Sequence, residues 1–332
     1  MKTAVVILNW NGKEMLRRYL PSVVESTRGQ AEVWVADNGS EDGSVEDVER
    51  RFPECRTLRL GRNHGFAGGY NEALSRISAH YYVLLNSDVE TPPGWLSPLT
   101  GFLDSHPGAA ACQPKLLSAA DHSMFEYAGA AGGFIDKYGY PYCRGRIFGT
   151  VEKDRGQYDT VAETHWATGA CLAIRSADFH GAGGFDSGFF AHNEEIDLCW
   201  RLRNAGRKIY CTPESAVYHL GGGTLPQGNP GKTFLNFRNN LAMLRKNLPG
   251  DRLRPVMAAR WALDRLAALQ SLAGGGTAHF RAIMRARREY ASWKPQLDKQ
   301  RTGEAAAPLS PFSILWQYHA MGRKFFSQLP GQ

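Results

Sequence analysis

The stretch Tyr81-Tyr82-Val83-Leu84-Leu85-Asn86-Ser87-Asp88-Val89-Glu90 passes from five apolar residues directly into Asn-Ser-Asp. A short continuous run of this kind is typical of a parallel strand that is buried on both faces. Ligands of open α/β sheets bind outside the carboxyl ends of the strands, so Asp88 would lie where a carboxylate can hold a divalent cation against an anionic substrate. Taken alone, the segment favours the alternative of a strand-ending turn, because Asn, Ser and Asp bond to their own backbone.

Strands alternate with helices on the amino-terminal side of this run. We predict strands over residues 5–8, 33–36 and 56–60, and helices over residues 12–26, 45–51 and 70–78. Ser44, with Asp47 three residues later, predicts a capping box at the start of the second helix. The alternation favours an α/β fold with a mostly parallel sheet that is covered by helices on both faces.

Polar residues follow three of these predicted strands. Asn9 and Asn11 follow the first, Asp37 the second and Asp88 the central one. Because the carboxyl ends of parallel strands lie on one side of a sheet, these residues are expected at the same edge. Asp37 could accept hydrogen bonds from a base or a ribose, and the glycines at 65, 68 and 69 would let backbone N–H groups approach a phosphate. The glycine-rich loop has neither a dinucleotide-binding nor a P-loop spacing.

Composition indicates the class of protein. The 332 residues, 43% of them hydrophobic, suffice for one large catalytic domain plus an extension, and we predict these at residues 1–225 and 226–332. No apolar run reaches the ~18 residues that span a bilayer, and the apolar start ends too early, at Asn9, for a signal sequence. We therefore expect a cytoplasmic protein. The cysteines are scattered without Cys-x-x-Cys pairs, which indicates neither a zinc site nor a disulfide framework.

The positive charge is concentrated in the carboxyl-terminal part. Residues 226–332 contain 17 Lys and Arg against 5 Asp and Glu, whereas residues 1–225 contain 22 against 27. Apolar residues at helical spacing, an arginine stripe at 281, 285 and 288 and the glycines at 274–276 predict two basic amphipathic helices. They could lie on the anionic inner face of the plasma membrane as a peripheral contact; a helical cap or a homodimer contact is an equal alternative. No nucleic-acid motif is found, so no nucleic-acid partner is expected. The aromatic segment 308–326 is expected to dock on the body.

The middle of the chain is harder to interpret. Residues 109–165 mix aromatic residues with glycines, which is typical of a hairpin-rich insertion. The aromatic side chains could stack on the sugar rings of an acceptor or could form a plain satellite core, and the sequence leaves both open. The run from residue 166 to 175 is predicted as a strand.

Acidic residues open the next predicted helix. Glu194, Glu195 and Asp197 precede Leu198-Cys199-Trp200-Arg201. Acids in a first helical turn favour the helix macrodipole, and Asp197 with Arg201 has the spacing of a helical ion pair, so a purely structural role is one interpretation. The other is catalysis. His219, at the end of a further strand and before Gly221-Gly222-Gly223, has the position of a group that closes on a metal and a diphosphate, with the glycines as a hinge.

Four motifs together resemble a known family. Val5-Val6-Ile7-Leu8-Asn9-Trp10-Asn11-Gly12, Ala36-Asp37-Asn38-Gly39-Ser40, Asn63-His64-Gly65-Phe66-Ala67-Gly68-Gly69-Tyr70-Asn71 and Leu84-Leu85-Asn86-Ser87-Asp88 are similar to those of the family 2 inverting glycosyltransferases, in particular the bacterial rhamnosyltransferase-like branch. The resemblance extends from residue 3 to about residue 245. It implies a GT-A fold, a nucleotide-sugar donor linked to UDP or dTDP, and Mg²⁺ or Mn²⁺ as cofactor.

The resemblance also implies roles for individual residues. Asp37 would contact the nucleobase, Asp88 and His219 would bind the metal, and Glu195 would be the general base, with Glu194 as the second candidate. The usual Asp is replaced by Glu at position 195, and Asn86 replaces one acid of the Asp-x-Asp motif, which removes one charge from around the metal. The predicted donor site comprises Asn9, Asn11, Asp37, Asn38, Asn63, Gly68, Asn71, Asn86, Ser87 and Arg238. The predicted acceptor site comprises Trp166, Thr168 and Gly169.

These observations predict an inverting glycosyltransferase that acts on a glycan or lipid-linked acceptor in cell-surface polysaccharide synthesis. One alternative is a sugar-1-phosphate nucleotidyltransferase, which would normally carry a Gly-rich loop with Arg and Lys after its first strand. Here that position reads Asn9-Trp10-Asn11-Gly12. The other alternative is a non-catalytic binding module on the same fold.

Overall fold

The computed structural model describes residues 2–221, 228–301 and 307–331. The strands are β1 (Thr3–Asn9), β2 (Glu32–Asp37), β3 (Arg56–Arg59), β4 (Tyr81–Leu85), β5 (Val89–Glu90), β6 (Ala109–Ser118), β7 (Gly133–Ile135), β8 (Pro141–Cys143), β9 (Arg146–Ile147), β10 (Thr150–Val151), β11 (Ala162–Thr164), β12 (Cys171–Arg175) and β13 (Lys208–His219). The helices are α1 (Lys13–Thr27), α2 (Ser44–Arg51), α3 (Gly65–Leu74), α4 (Leu96–Ser105), α5 (Ser176–Gly181), α6 (Glu194–Asn204), α7 (Pro230–Asn247), α8 (Gly250–Ala273) and α9 (Thr277–Lys299).

The predicted central strand is confirmed. All five residues of β4 are at most 2% exposed. The strand pairs with β1 in parallel and with β12 in antiparallel orientation, inside a nine-stranded sheet of order β11-β13-β6-β12-β4-β1-β2-β3, in which β5 pairs with β13. Most pairings at the β3 edge are parallel, and β12 reverses direction beside β4. The fold is a mixed α/β fold, as predicted.

Alternate residues of β1 face two separate apolar cores, as the period of a strand requires. Val5 and Ile7 pack in the core that includes α1, α2 and α4. Ala4 and Val6 pack in the larger core that includes α3, α6 and α7. The sheet is therefore covered by helices on both faces. The site forms at the carboxyl ends of its parallel strands.

Three local predictions were wrong. Helix α3 begins at Gly65 instead of residue 70, and the strand predicted from residue 166 begins only at Cys171. The capping box at α2 is absent: Gly43, in the left-handed conformation, is the N-cap, and no side chain caps the helix. Ser44 instead accepts a hydrogen bond from Asn9 at 2.8 Å, and Asp47 pairs with Arg17 at 2.9 Å. Both side chains therefore bond to tertiary partners and do not cap α2.

The insertion forms a separate antiparallel sheet of order β10-β9-β8-β7. The carboxyl-terminal segment docks on this sheet, as predicted: Phe326 is 4% exposed and packs on Phe134, and Tyr142 bonds to Ser310 at 2.7 Å. Helices α8 and α9 form the expected pair on either side of the 274–276 glycines, and α9 packs along α7. Of the helices described, none is both long and apolar enough to cross a membrane.

Candidate active site

A cavity of about 1140 Å³ lies at the carboxyl edge of the sheet and extends beneath the insertion and helix α7. Most of the predicted site residues line it, although they come from distant parts of the chain. They are Asn38, Asn63, Asn86, Ser87, Asp88, Trp166, Thr168, Gly169, Glu194, Glu195 and His219.

Asp88 and His219 lie in direct contact on one wall of the cavity. The Asp88 Oδ1 to His219 Nε2 distance is 3.1 Å, and both residues are buried. The pairing of β5 with β13 explains the contact, because it sets His219 opposite Val89. The side-chain amide of Asn86 lies 3.4 Å from the same imidazole nitrogen. The Asn-Ser-Asp segment and the end of β13 therefore converge on one point.

Glu126, which the sequence analysis missed, lies on the other side of the His219 ring. Its Oε2 is 3.3 Å from His219 Nδ1, and Glu126 is 6% exposed. The backbone N–H of Ala128 donates to the same carboxylate at 2.5 Å and holds it in place. In the metal-free protein, burial alone would lower the pKa of His219, but Asp88 and Glu126 outweigh it and raise the pKa to about 10, so a bound cation would have to replace the proton on Nε2. A single acid in an irregular stretch gave no signal for this contact.

The arrangement fits a divalent cation. Two cis ligands of an octahedral ion, each at about 2.1 Å, are separated by roughly 3.0 Å, which is close to the Asp88–His219 distance. A metal-binding histidine commonly has a carboxylate next to its other ring nitrogen, and Glu126 lies at ion-pair distance from His219 Nδ1. In the described part of the chain, no three His, Cys, Asp or Glu side chains converge as a metal cluster. The remaining ligands would therefore be Asn86, water and substrate oxygens.

Glu194 and Glu195 begin α6 and line the cavity together. Each has a buried Oε2 without a hydrogen-bond partner in the described residues. Burial is the main cause that raises the pKa of both carboxyls. Repulsion from Glu195 raises the pKa of Glu194 further, whereas backbone groups of Gly169 and Ile196 oppose the rise at Glu195. Both carboxyls therefore hold their protons more strongly than an exposed glutamate does.

Asp197 points away from the cavity and has a structural role. It is 0% exposed, and its carboxylate binds Arg201 at 2.8 Å, Lys246 at 2.9 Å and Asn247 at 2.8 Å. Burial is the largest influence on its pKa and would raise it, but the two cations prevail and lower it. The helical ion pair predicted for Asp197 and Arg201 is confirmed.

The segment before α6 has an unusual backbone that helix α7 holds in place. Phe190, His192 and Asn193 all have positive φ angles, of 65°, 69° and 68°. The buried Asn239 amide donates to the carbonyls of Phe189, Ala191 and His192 at 3.0, 2.8 and 2.7 Å. Left-handed conformations of non-glycine residues persist only where the surroundings enforce them. Asn239 is therefore a main support of the turn that leads into the acid pair.

Residues of the predicted donor site form two layers. Asn38 and Asn63 line the cavity and share a 3.2 Å hydrogen bond. Asn9 and Asp37 lie behind them, where Asn9 Nδ2 contacts Asp37, Ser40 and Ser44. Asn11 is exposed at the rim and accepts a 2.8 Å hydrogen bond from the Glu41 N–H. Nucleobase contact by Asp37 stays a prediction.

Three further residues of the predicted donor site also lie outside the lining of the cavity, and their contact with a donor stays a prediction. Gly68 packs against His64 and Ser187, and Asn71 bonds to the backbone N–H and C=O of Phe185 at 2.9 and 2.7 Å. Arg238 donates to the carbonyls of Gly188 and Phe189.

The glycines of the 65–69 loop also serve packing. The Phe190 carbonyl accepts hydrogen bonds from the N–H groups of Phe66 and Ala67, in the first turn of α3. These two N–H groups are therefore already paired within the protein. A Cβ atom on Gly69 would lie 2.8 Å from Leu8 Cδ2. The loop therefore brings α3 close to β1 and to the acid-bearing turn.

The predicted acceptor residues lie under the insertion. Trp166 Nε1 donates to the Phe134 carbonyl at 3.0 Å, and the Thr168 N–H donates to Gln113 Oε1 at 2.9 Å. Gly169 lies next to Glu195, where a Cβ atom would be 3.9 Å from the Cβ of that residue. Aromatic side chains of the insertion line this half of the cavity at Tyr127, Tyr140 and Phe148, and their stacking on an acceptor sugar stays a prediction. The sequence analysis assigned no role to four further lining residues: Arg146, His192, Lys232 and Arg260. The hinge predicted at the glycine run falls partly outside the described residues, at 222 and 223.

Comparison with known proteins connects this site to a family. Residues 4–121 match the family described as Glycosyl transferase family 2. An N-acetylglucosaminyl-diphospho-decaprenol L-rhamnosyltransferase of Mycobacterium tuberculosis is 27% identical over 231 residues, which are 65% of this chain and 75% of that protein.

Solved structures show the same fold at low sequence identity. Staphylococcus aureus TarS 1–349 in complex with UDP-GlcNAc aligns with a TM-score of 0.56 and 14% identity over 90% of this chain and 91% of that one. GalNAc-T7 with UDP, GalNAc and Mn²⁺ aligns with a TM-score of 0.58 and 16% identity over 76% of this chain and 49% of that one. By sequence, this chain is therefore similar to glycosyl transferase family 2 and, within it, to a rhamnosyltransferase.

Proposed function

We propose that this protein is an inverting, metal-dependent glycosyltransferase that moves a sugar from a nucleoside-diphosphate donor to a hydroxyl group of a glycan or lipid-linked acceptor. The observation that carries the proposal is the shared cavity, in which the acid pair of α6 faces the same space as Asp88 and His219. The named lipid-linked substrate of the mycobacterial relative supports an acceptor of this class in cell-surface polysaccharide synthesis.

Glu195 is proposed as the general base. Its burial raises the pKa, which makes the carboxylate a better proton acceptor, and in this proposal Glu194 keeps its proton. Glu195 takes the proton of the acceptor hydroxyl as that oxygen bonds to the anomeric carbon. The bond from the anomeric carbon to the donor diphosphate breaks, and the electron pair leaves with the nucleoside diphosphate. One displacement inverts the configuration and needs no protein nucleophile.

Asp88, His219 and Asn86 are proposed to hold Mg²⁺ or Mn²⁺. When bound, the ion stabilises negative charge on the departing diphosphate. Glu126 fixes the orientation of the His219 ring, so that Nε2 faces Asp88. Asn38 and Asn63 are placed to bind the nucleoside of a UDP- or dTDP-linked donor on the neighbouring wall.

The test measures nucleotide release from a panel of UDP- and dTDP-sugars with Mg²⁺ or Mn²⁺. A transferase releases nucleoside diphosphate slowly without acceptor and rapidly with it, a nucleotidyltransferase exchanges pyrophosphate, and a binding module does neither. We expect Glu195→Gln to reduce transfer at least 10²-fold, since positioned bases contribute about 10²–10⁴-fold. Glu194→Gln keeps the shape of the protonated acid and is the matched control. Undiminished transfer by Glu195→Gln would exclude the mechanism.

We also propose a peripheral contact with the anionic inner membrane through helix α8. Its solvent face exposes Trp261 (53%), Leu266 (63%), Leu269 (58%) and Leu272 (43%). Arg254 is exposed on the same helix, and the Arg265 guanidinium lies 3.5 Å over the Trp261 ring. Interfacial helices combine such apolar and basic side chains. A homodimer through the same face is the alternative, and the protein is proposed to act at the cytoplasmic side.

A further inference from the structure

Arg146, on strand β9, is a buried cation in the acceptor half of the cavity. It is 8% exposed and lines the cavity. Nε donates to the Tyr127 carbonyl at 2.9 Å, and Nη2 contacts Cys143 Sγ at 3.2 Å, which is a weak acceptor. Its guanidinium also stacks 4.6 Å from the Tyr127 ring centroid. Among the described residues, Nη1 has no hydrogen-bond partner, and no carboxylate lies within ion-pair distance of the group.

Two other buried arginines of this region each make three hydrogen bonds to oxygen acceptors. Arg260, which lines the same cavity, bonds to Asp264, Asn240 and the Tyr138 carbonyl. Arg144 donates to three backbone carbonyls. A buried charge is normally paired, because its removal from water costs several kcal/mol. Arg146 makes only one such bond, and among the described residues that line the cavity it is the arginine without a carboxylate at ion-pair distance, whereas Arg260 has Asp264.

The surroundings of Arg146 favour an amphiphilic anion. Tyr127, Phe148, Val151 and Met124 line the cavity beside it, and Tyr127 is 39% exposed. The guanidinium offers a planar fork of donors that matches a phosphate, and the aromatic and aliphatic side chains offer an apolar surface next to it. The proposed reacting centre belongs to the same cavity, since Glu126, Glu195 and Arg146 all line it.

We propose, on the basis of the proposed transferase function, that Arg146 binds a phosphate of a lipid-diphosphate-linked acceptor and so selects acceptors of this class. A phosphate in this cavity could also come from the donor. The position favours the acceptor, because Arg146 belongs to the insertion sheet, whereas Asn38 and Asn63 belong to the strand-edge wall of the nucleotide half. The apolar residues beside Arg146 would receive the first units of the lipid.

The experiment compares two acceptor probes with the full-length protein: N-acetylglucosamine linked through a diphosphate to a farnesyl chain, and octyl N-acetylglucosaminide, which lacks phosphate. We expect Arg146→Met to weaken binding of the diphosphate probe at least tenfold, which is about 1.4 kcal/mol, and to leave octyl-glycoside binding within twofold. Arg146→Lys, which keeps the charge but loses the fork, should be intermediate. Arg155→Met, at an exposed position in the same insertion, is the matched control.

Each other outcome has a defined meaning. Equal losses for both probes would overturn the proposal in favour of a packing role, and no loss would overturn it outright. Weaker binding of UDP or dTDP by Arg146→Met, with acceptor binding intact, would assign the group to the donor and overturn the acceptor assignment. Failure of the wild-type protein to bind either nucleotide would count against the proposed function itself. Unfolding temperatures of all variants identify a variant that has failed to fold, and Arg146→Lys then decides.

Discussion

Glu194 and Glu195 are adjacent buried acids for which we propose different tasks. Burial raises the pKa of both carboxyls, and in this proposal Glu194 keeps its proton while Glu195 ionises as the base. The raised pKa values mean that the folded protein binds the two carboxyl protons more tightly than the unfolded chain does. The two protonated carboxyls therefore make their full contribution to the free energy of unfolding below the ordinary carboxyl pKa. It is lost as pH rises through the folded values.

This assignment predicts the pH dependence of transfer. The acid limb of kcat/KM should lie above the ordinary glutamate pKa of 4.5, since Glu195 must be deprotonated and burial raises its pKa. Glu194→Gln should leave the midpoint of that limb nearly unchanged, because the amide replaces a group that is already neutral. The profiles of both proteins, measured with saturating metal, test this. A limb that disappears in Glu194→Gln would make Glu194 the base.

Asn239 is the second residue whose role can be isolated. Asn239→Ala removes three hydrogen bonds from the carbonyls of the turn that leads into α6. We expect a stability loss of about 1–3 kcal/mol, together with a fall in kcat that exceeds any change in donor KM, because the acid pair loses its support. Urea unfolding and steady-state kinetics provide both numbers.

A cap variant on the same helix is the control for this change. Asn229 caps α7 through a 2.7 Å hydrogen bond from the Gly231 N–H and contacts the helix end instead of the turn. Asn229→Ala should cost about 0.5–2 kcal/mol of stability and leave kcat as it is. Equal effects of the two variants on kcat would mean that α7 stability, and not the turn geometry, is what Asn239 supplies.

Helices α6 and α7 are joined by a buried ionic cluster. Asp197 of α6 faces Lys246 and Asn247 of α7, and Lys246 also binds Asp186 at 2.8 Å. Asp197→Asn should destabilise the protein by about 3–5 kcal/mol, because Lys246 and Arg201 would remain buried with less negative charge. Chemical denaturation measures the loss.

The pH dependence of stability gives an independent check on this cluster. The pKa of Asp197 is lowered in the folded protein, so its contribution is present above the ordinary value of 3.8 and is lost as pH falls through the folded value. Asp197→Asn should therefore lose less stability on acidification than the wild type. Parallel acid-unfolding curves would contradict the assignment. Glu163→Gln, at an exposed ion pair with Lys208, is the control and should change stability by less than about 1 kcal/mol.

Among the strands and helices, the pattern of apolar residues gave the most reliable predictions. The run at residues 81–85 and the alternation before it predicted β4 and the order of strands and helices, because burial on both faces leaves few other uses for such a run. The capping box predicted from Ser44 and Asp47 was wrong, because long-range hydrogen-bond and ion-pair partners compete with local capping. Glu126 and Arg146 could not be predicted, since they lie in short strands and turns without periodicity, and only tertiary contacts give them a role.

At the scale of the whole molecule, the cavity is assembled from distant parts of the chain, which include the acid pair of α6 and the end of β13. The strand edge supplies Asn38 and Asp88, the insertion supplies Glu126 and Arg146, and α7 and α8 supply Lys232 and Arg260. The predicted boundary at residue 225 therefore separates two stretches of sequence that share one cavity. The carboxyl-terminal helices face the acceptor half on one side and solvent on the other.

The solvent face of α8 leads to the last prediction. The exposed leucines and Trp261 lie beside Arg254 and Arg265, so the wild-type protein should bind vesicles that contain phosphatidylglycerol and should bind neutral phosphatidylcholine vesicles much less. The double change Leu266→Glu and Leu269→Glu should abolish sedimentation with anionic vesicles, because it removes apolar contact and adds repulsion. Val161→Glu with Met321→Glu adds the same charge at exposed apolar positions outside α8 and should retain binding. The alternative outcome has two parts: neither protein binds vesicles, and light scattering shows a wild-type dimer and a monomeric α8 variant. In that case the α8 face is a contact between two copies of the chain.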